Sequence, residues 1–382
     1  MNSALESLLA RLLAFDTTSR ESNLAMIDFI DDVLSSKGII TRRFYDEQGK
    51  KANLLARIGP DEDGGVMLSG HTDVVPVDGQ SWTVPPFSAT RRDGRIYGRG
   101  SADMKGFIGC VLAALPDFLS GSLRMPLWLA FSYDEEVGCL GVRSLVEHLR
   151  ASAHKPAMCI VGEPTEMRPV YGHKGKLAMR CCVEGLACHS AYAPLGVNAI
   201  EYAAKVINRI TVLGEELSAS RDARFSPPFS TIQVGVIQGG SALNIVPQSC
   251  QFDFEIRHLP GHDTGRTINA LERYAFGELR SNMRNVAPDS DISFQVLSRY
   301  PGLLTDPQSD FARWLMQWSG SDDFSTVAFG TEGGLFDEVG IATLVCGPGS
   351  MEQGHKPDEF VSEEQLNQCM AMLENLRQWM QD

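Results

Sequence analysis

Several short apolar runs in this chain stop abruptly at an imidazole or a carboxylate, and that repetition constrains the fold more than any other feature. Val66-Met67-Leu68-Ser69-Gly70 runs into His71, with Asp73 two residues on. Leu127 to Tyr133 runs into Asp134-Glu135-Glu136, and Ala157 to Val161 into Gly162-Glu163. Ala342 to Cys346 is followed by Gly347-Pro348-Gly349-Ser350 and then His355. Runs of this length and composition read as buried strands. In an open α/β sheet, ligands gather where strands end at their carboxyl edge. A single His-x-Asp describes a hydrogen-bonded surface histidine equally well. Recurrence changes that, because strand neighbours lie about 4.8 Å apart and several loop tips can converge on one cleft.

A fifth candidate lies in Arg95-Ile96-Tyr97-Gly98-Arg99-Gly100-Ser101-Ala102-Asp103-Met104-Lys105-Gly106, before a helix expected from about Phe107 to Leu119. A glycine-rich turn ahead of a helix can cradle phosphate. Here Asp103 occupies the last glycine position of the dinucleotide pattern, and the P-loop pattern is absent. A carboxylate there repels phosphate, so Asp103 reads as a cation ligand, again placed just beyond a parallel strand. His71, Asp103, Glu136, Glu163 and His355 form a nitrogen and oxygen donor set suited to zinc or a similar divalent ion. Five donors are too many for one catalytic zinc, which keeps an open position. They suit two ions sharing a carboxylate, about 3.5–4 Å apart. Asp73 is placed to hold the other ring N–H of His71.

At 382 residues the chain is long for one core, and two domains are expected. After the third and fourth acid-bearing strands the pattern changes. Lys176–Glu184, Ser230–Ile237, Gln248–His258 and Ile292–Leu297 read as strands, and Asn198–Leu213 and Thr264–Arg284 as helices. That βαββαβ order is the ferredoxin-like pattern of a two-layer sandwich. The fold class expected is therefore α/β: a mixed, mostly parallel sheet flanked by helices, with an inserted α+β domain. The boundaries expected are 1–177, 178–299 and 300–382. The final helix opens at Ser362 with Gln365 three residues on, a capping-box signature.

Net charge of −14 argues against nucleic acid and anionic membrane as partners. No apolar run reaches the roughly 20 residues of a spanning helix. The opening residues carry no basic region before an apolar core, so no signal peptide is expected. Nine scattered cysteines without C-x-x-C spacing read as reduced core thiols of a cytoplasmic protein. Cys181 and Cys182, adjacent on a strand, should face opposite ways. No G-x-S-x-G elbow is present, which disfavours a serine hydrolase.

Taken together, five motifs resemble the M20 family of two-metal amidohydrolases: Gly70-His71-Thr72-Asp73-Val74-Val75-Pro76, Gly98-Arg99-Gly100-Ser101-Ala102-Asp103-Met104-Lys105-Gly106, Asp134-Glu135-Glu136, Gly162-Glu163-Pro164-Thr165 and the late His355. They span nearly the whole chain in the family's order. The resemblance is greatest to members that deacetylate N-acetylornithine in arginine biosynthesis, through Gly172-His173-Lys174-Gly175, Gly330-Thr331-Glu332 and His355-Lys356-Pro357-Asp358-Glu359. It implies that His71 and Glu163 bind one metal, Glu136 and His355 the other, with Asp103 bridging, perched on a cis peptide to Met104. It implies Glu135 as general base acting on a metal-bridged water, and Asp73 as support for His71. It implies that the inserted domain makes a homodimer, and that His189 reaches a partner's active site. Here Ala187-Cys188-His189-Ser190 stands where members usually carry Gly before the His. Asn244 and Arg257 match residues that hold a substrate carboxylate. Zinc is the expected metal, with cobalt and manganese tolerated. Desuccinylases of diaminopimelate intermediates and dipeptidases share most of these pieces, and a metal-binding scaffold without chemistry is the alternative from another class. His173 and Lys174 fit either a domain junction or substrate contact. Glu332 fits a solvated loop acid better than a partner for a substrate cation.

Overall fold

The computed structural model describes residues 1–381 and divides into two units. One comprises Met1–His173, Leu303–Val327 and the residues from Thr331 onward; the other comprises Lys174–Gly302 and Ala328–Gly330.

The first unit is built on a nine-stranded sheet. Its centre is four parallel strands, side by side in the order Leu127–Ser132, Val66–His71, Met158–Val161, Ala342–Val345. Thr41–Tyr45 and Ala52–Ile58 extend one side antiparallel. Val170–His173 extends the other, with Leu303–Leu304 antiparallel and Ser325–Val327 parallel to it. Val66–His71 and Leu127–Ser132 are buried at every position, as expected of strands covered on both faces. The helix Lys105–Phe118 packs on this sheet and is itself overlain by helices Ser3–Leu13 and Glu363–Gln381. Leu5, Leu9 and Leu12 meet Phe107, Ile108 and Val111 there in one core with Leu366, Met372 and Leu376. Because that helix is enclosed, with every residue from Lys105 to Leu115 buried, its sequence is apolar almost all round.

The last helix starts as expected but only half the capping box forms. Ser362 Oγ accepts from Gln365 N at 3.1 Å. The Gln365 side chain instead accepts from Gly349 N, so it secures the turn after Ala342–Val345 rather than its own helix start.

One glycine is required by packing at the sheet's functional edge. A Cβ on Gly162 would sit 2.0 Å from the ring of Phe107, which is fully buried. Gly162→Ala should therefore cost about 1–3 kcal/mol of stability, as an overpacked core does, read as a lower urea midpoint, and displace the adjacent Glu163. An unchanged midpoint would show that the ring yields.

The second unit is a four-stranded antiparallel sheet ordered Thr231–Gly239, Ser249–His258, Gly175–Glu184, Asp291–Tyr300. Its inward residues, such as Met179, Cys181, Phe252 and Phe254, share one core with Ala203, Val206 and Ile210 of helix Ala199–Ser218 and with Leu271 and Met283. Strand order and connectivity are those of the ferredoxin-like sandwich. Cys181 is buried and Cys182 half-buried, as strand alternation requires. The helix expected over Thr264–Arg284 is interrupted by a π turn at Ala275–Leu279. All nine cysteines are free, and among the described residues no helix is long and apolar enough to cross a membrane.

Candidate metal centre

The four central strands are parallel, so their carboxyl ends lie along one edge, and each leads to a candidate residue. His71 is the last residue of its strand, and Glu163 follows its strand by two. Glu135 and Glu136 follow Leu127–Ser132, and His355 lies in the irregular segment after Ala342–Val345. Asp103 is different from what the sequence suggested. Its preceding strand, Arg95–Tyr97, belongs to a separate antiparallel sheet with Thr90–Arg92 and Phe360–Ser362. The local pattern of a strand before a glycine turn was the same; only pairing partners distinguish the two cases. Asp103 nevertheless reaches the same place, and the Asp103–Met104 peptide is cis.

The side chains converge closely. His71 Nε2 lies 3.0 Å from Asp103 Oδ1 and 3.8 Å from Glu163 Oε1. His355 Nε2 lies 3.2 Å from Asp103 Oδ2 and 3.0 Å from Glu136 Oε2. Asp103 thus turns one oxygen to each imidazole. Donor atoms of His71, Glu135 and Glu163 fall within 4.8 Å of one another, as do those of His71, Asp103 and Glu136. His71, Asp103 and Glu163 are buried, whereas His355 is about half exposed at 46%.

The nearest acceptor for His71 Nδ1 is the Asp73 backbone carbonyl at 2.9 Å, with the Asp73 carboxylate 3.5 Å away. An N–H at Nδ1 leaves the Nε2 lone pair facing Asp103 and Glu163. The Asp73 carboxylate works mainly on the acidic turn: it accepts from Glu135 N at 3.1 Å, Glu136 N at 3.3 Å and Ser19 Oγ at 2.8 Å. Asp134 begins that turn with φ +56 and pairs with Lys51 Nζ at 2.6 Å. Ser19 and Lys51 escaped the sequence reading, since neither sits in a motif that carries chemistry.

The electrostatics of this cluster call for positive charge. Burial and the neighbouring Asp103 push the Glu163 carboxyl well above its usual range. Burial, again with Asp103, lifts Glu136 to about 7. Burial works against charge on His71, yet Asp103, Asp73 and Glu163 still raise its pKa well above the ordinary value. Glu136 Oε1 is buried with no hydrogen-bond partner. Four acids facing two imidazoles, with one oxygen left unpaired, fit a pair of divalent cations. Buried carboxylates without such compensation are costly.

Glu332 is not the solvated loop acid that the sequence favoured. It is 1% exposed, its Oε1 has no partner, and burial lifts its carboxyl to about 7. It immediately precedes the buried helix Gly333–Asp337, which the sequence did not reveal because the segment is short and glycine-rich. His173 is buried and within 3.1 Å of Thr331 Oγ1. Lys174, first residue of the second unit, donates to the Phe229 carbonyl at 2.7 Å.

The remaining candidates belong to the second unit. His189 and Asn244 are exposed and brought together by a bridge between His189 and Ile245, with Ser190 N donating to the Asn244 carbonyl at 3.0 Å. His189 Nδ1 accepts from Ala191 N at 3.1 Å, which leaves Nε2 as the donor. Arg257 lies on strand Ser249–His258, where it donates to Tyr300 Oη at 2.8 Å and to Glu255 at 3.3 Å.

Residues 67–378 match the family model described as peptidase family M20/M25/M40. A protein of Myxococcus xanthus named acetylornithine deacetylase is 37% identical over 380 residues, covering 97% of this chain and 96% of its own. An M20 family metallo-carboxypeptidase from Sulfolobus solfataricus is similar in structure, with TM-score 0.76, 20% identity and 99% of both chains covered. A dinuclear metal binding peptidase of the M20 family from Bacillus subtilis is similar too, with TM-score 0.66, 15% identity and 99% of both chains covered.

Proposed function

The chain belongs to peptidase family M20/M25/M40, and from that premise we propose that it hydrolyses N-acetyl-L-ornithine to acetate and L-ornithine. The observation that carries a hydrolytic metal centre is Asp103, buried, with one oxygen 3.0 Å from His71 and the other 3.2 Å from His355. On this reading His71 and Glu163 would hold one cation and Glu136 and His355 the other, with Asp103 placed to serve both. When bound, two divalent cations polarise an acyl carbonyl and make water acidic enough to lose a proton near neutral pH. Nitrogen and oxygen donors favour zinc, with cobalt or manganese acceptable.

Glu135 takes the proton of the attacking water as its oxygen bonds to the acyl carbon. It then hands that proton to the leaving nitrogen as the C–N bond breaks. Glu135 is suited to this because the turn held by Asp73 fixes its backbone while its side chain makes no hydrogen bond to either imidazole. His189, supplied by the partner subunit of a homodimer, donates to the oxyanion that develops on the carbonyl. Asn244 and Arg257 hold the α-carboxylate, for which a guanidinium fork suits both oxygens. Support for assigning the second unit to dimerisation is its exposed apolar edge strand, with Val236 at 52% and Ile237 at 51% exposed. Nine free cysteines suit the reducing cytoplasm.

Likeness to proteins named acetylornithine deacetylase supports the acyl and amino-acid preference. The test is a substrate panel with purified protein. N-acetylornithine should exceed N-succinyl-diaminopimelate and simple dipeptides in kcat/KM by about 10- to 100-fold, the span one well-matched pocket contact can supply. A faster dipeptide or succinyl substrate would overturn the preference and leave the hydrolase standing.

A further inference from the structure

Asp103 and His355 are the two candidate ligands not anchored at the end of a sheet strand, and both are held by one hydrogen-bond network that runs from buried Glu359 to an exposed link at His355. Glu359 is 1% exposed and all four of its acceptor directions are used. Its Oε2 accepts from Arg99 Nη1 at 2.7 Å and Gly100 N at 3.1 Å. Its Oε1 accepts from Ala102 N at 2.9 Å and Asp103 N at 3.1 Å. Pointing three nearby backbone N–H groups at one carboxylate requires a curled chain, and Gly100 supplies it with φ +85. The strand ladder sets this up. Phe360–Ser362 pairs with Arg95–Tyr97, and Gly98 N donates to the Glu359 carbonyl at 2.9 Å, so the Glu359 side chain takes over where the ladder ends.

The network continues to the other ligand. Arg99 Nη2 donates to Gln80 Oε1 at 2.6 Å, and Gln80 Nε2 donates to the backbone carbonyl of His355 at 2.9 Å. Trp82 Nε1 steadies Gln80 Oε1 at 3.0 Å, and the Arg99 guanidinium lies 5.1 Å from the Trp82 ring centre. His355 has φ +64, a backbone conformation that a non-glycine residue needs help to keep. A buried ion pair by itself says little about stability, since an apolar pair of like volume does as well. An apolar pair could not collect the N–H groups of Gly100, Ala102 and Asp103.

We propose that Glu359 is a positioning residue which, through Arg99 and Gln80, clamps the segments carrying Asp103 and His355 and so sets how tightly cations are held between them. The proposal rests on the two-cation reading of the site. It concerns affinity, and it places Glu359 in contact with neither substrate nor cation.

The test is calorimetric titration of the chelated full-length protein with zinc, for wild type, Glu359→Gln and Gln80→Ala. Glutamine at 359 keeps the shape but turns an NH2 towards groups that are themselves donors. Cation affinity should fall about 10- to 100-fold in Glu359→Gln, the usual effect of losing a group that orients a ligand. At limiting zinc kcat should fall with KM little changed, and excess zinc should restore part of it. Gln80→Ala cuts the link to His355 and leaves no buried charge alone. It should weaken zinc binding by a smaller factor while the chelated protein melts as wild type does. If Glu359→Gln does not fold, Gln80→Ala decides by the same titration. Two cations bound at wild-type affinity in the folded variants would overturn the clamp. A wild type that takes up no zinc would overturn the two-cation reading and the clamp with it.

Discussion

Glu135→Ala should keep both cations and lose nearly all turnover, by about 10²–10⁴-fold, the range attributed to one positioned acid–base group. Glu135 sits beside Glu136 on a turn fixed by Asp73, which accepts from both backbone N–H groups. Those bonds are made by main chain and survive removal of the side chain, so Glu136 should stay in place. Glu135 Oε1 is contacted by Cys139 Sγ at 3.3 Å, and the two imidazoles are bonded elsewhere. Steady-state acetate release together with metal content after desalting checks the expectation. Unchanged turnover would mean that the base lies elsewhere. Loss of a cation would make Glu135 a ligand, a role its distance to His71 and Glu163 permits. A metal-binding scaffold would show no wild-type turnover to lose.

Asp103→Ala should have the other large effect, because it removes a carboxylate with one oxygen 3.0 Å from His71 and the other 3.2 Å from His355. Burial alone would raise the Asp103 pKa, but the neighbouring His355 and His71 imidazoles hold it well below the usual carboxylate range, so the group is an anion when those rings are near. Its removal leaves each cation one ligand short and takes away the charge between them. Hydrolysis should drop by about 10³-fold or more, the loss of several kcal/mol of charge stabilisation. Zinc content should fall below one per chain after exhaustive desalting. Retention of two tightly held cations would show that Asp103 does not join them. Chelation of the wild type should reproduce the activity loss, and restored zinc should reverse it, whereas the variant should not recover.

Legibility of the fold followed how local the deciding physics is. Strands such as Val66–His71 and Leu127–Ser132 announced themselves, because full burial on both faces demands an unbroken apolar run. The sandwich was readable from alternation, which one-sided burial imposes on Gly175–Glu184 and Ser249–His258. Asp103 looked like another parallel strand end because the chain segment before it is a short strand, and nothing in that segment records which strand it pairs with. Glu332 looked solvated because charge is usually exposed. Its burial depends on packing that no neighbouring residue encodes.

The residue types and order of His71, Asp103, Glu135, Glu136, Glu163 and His355 are properties of the sequence, and so is the pattern that turns most of them out at strand ends. Chemistry is written in side-chain identity, and periodicity is written in local spacing, so both can be read along one dimension. That Asp103 faces both imidazoles, that Asp73 braces the acidic turn, and that Glu359 gathers the N–H groups of Gly100, Ala102 and Asp103 were decided only by the tertiary structure. Each is a directional contact within about 3 Å between segments far apart in sequence, and such geometry exists only once the sheet has set the strands in register.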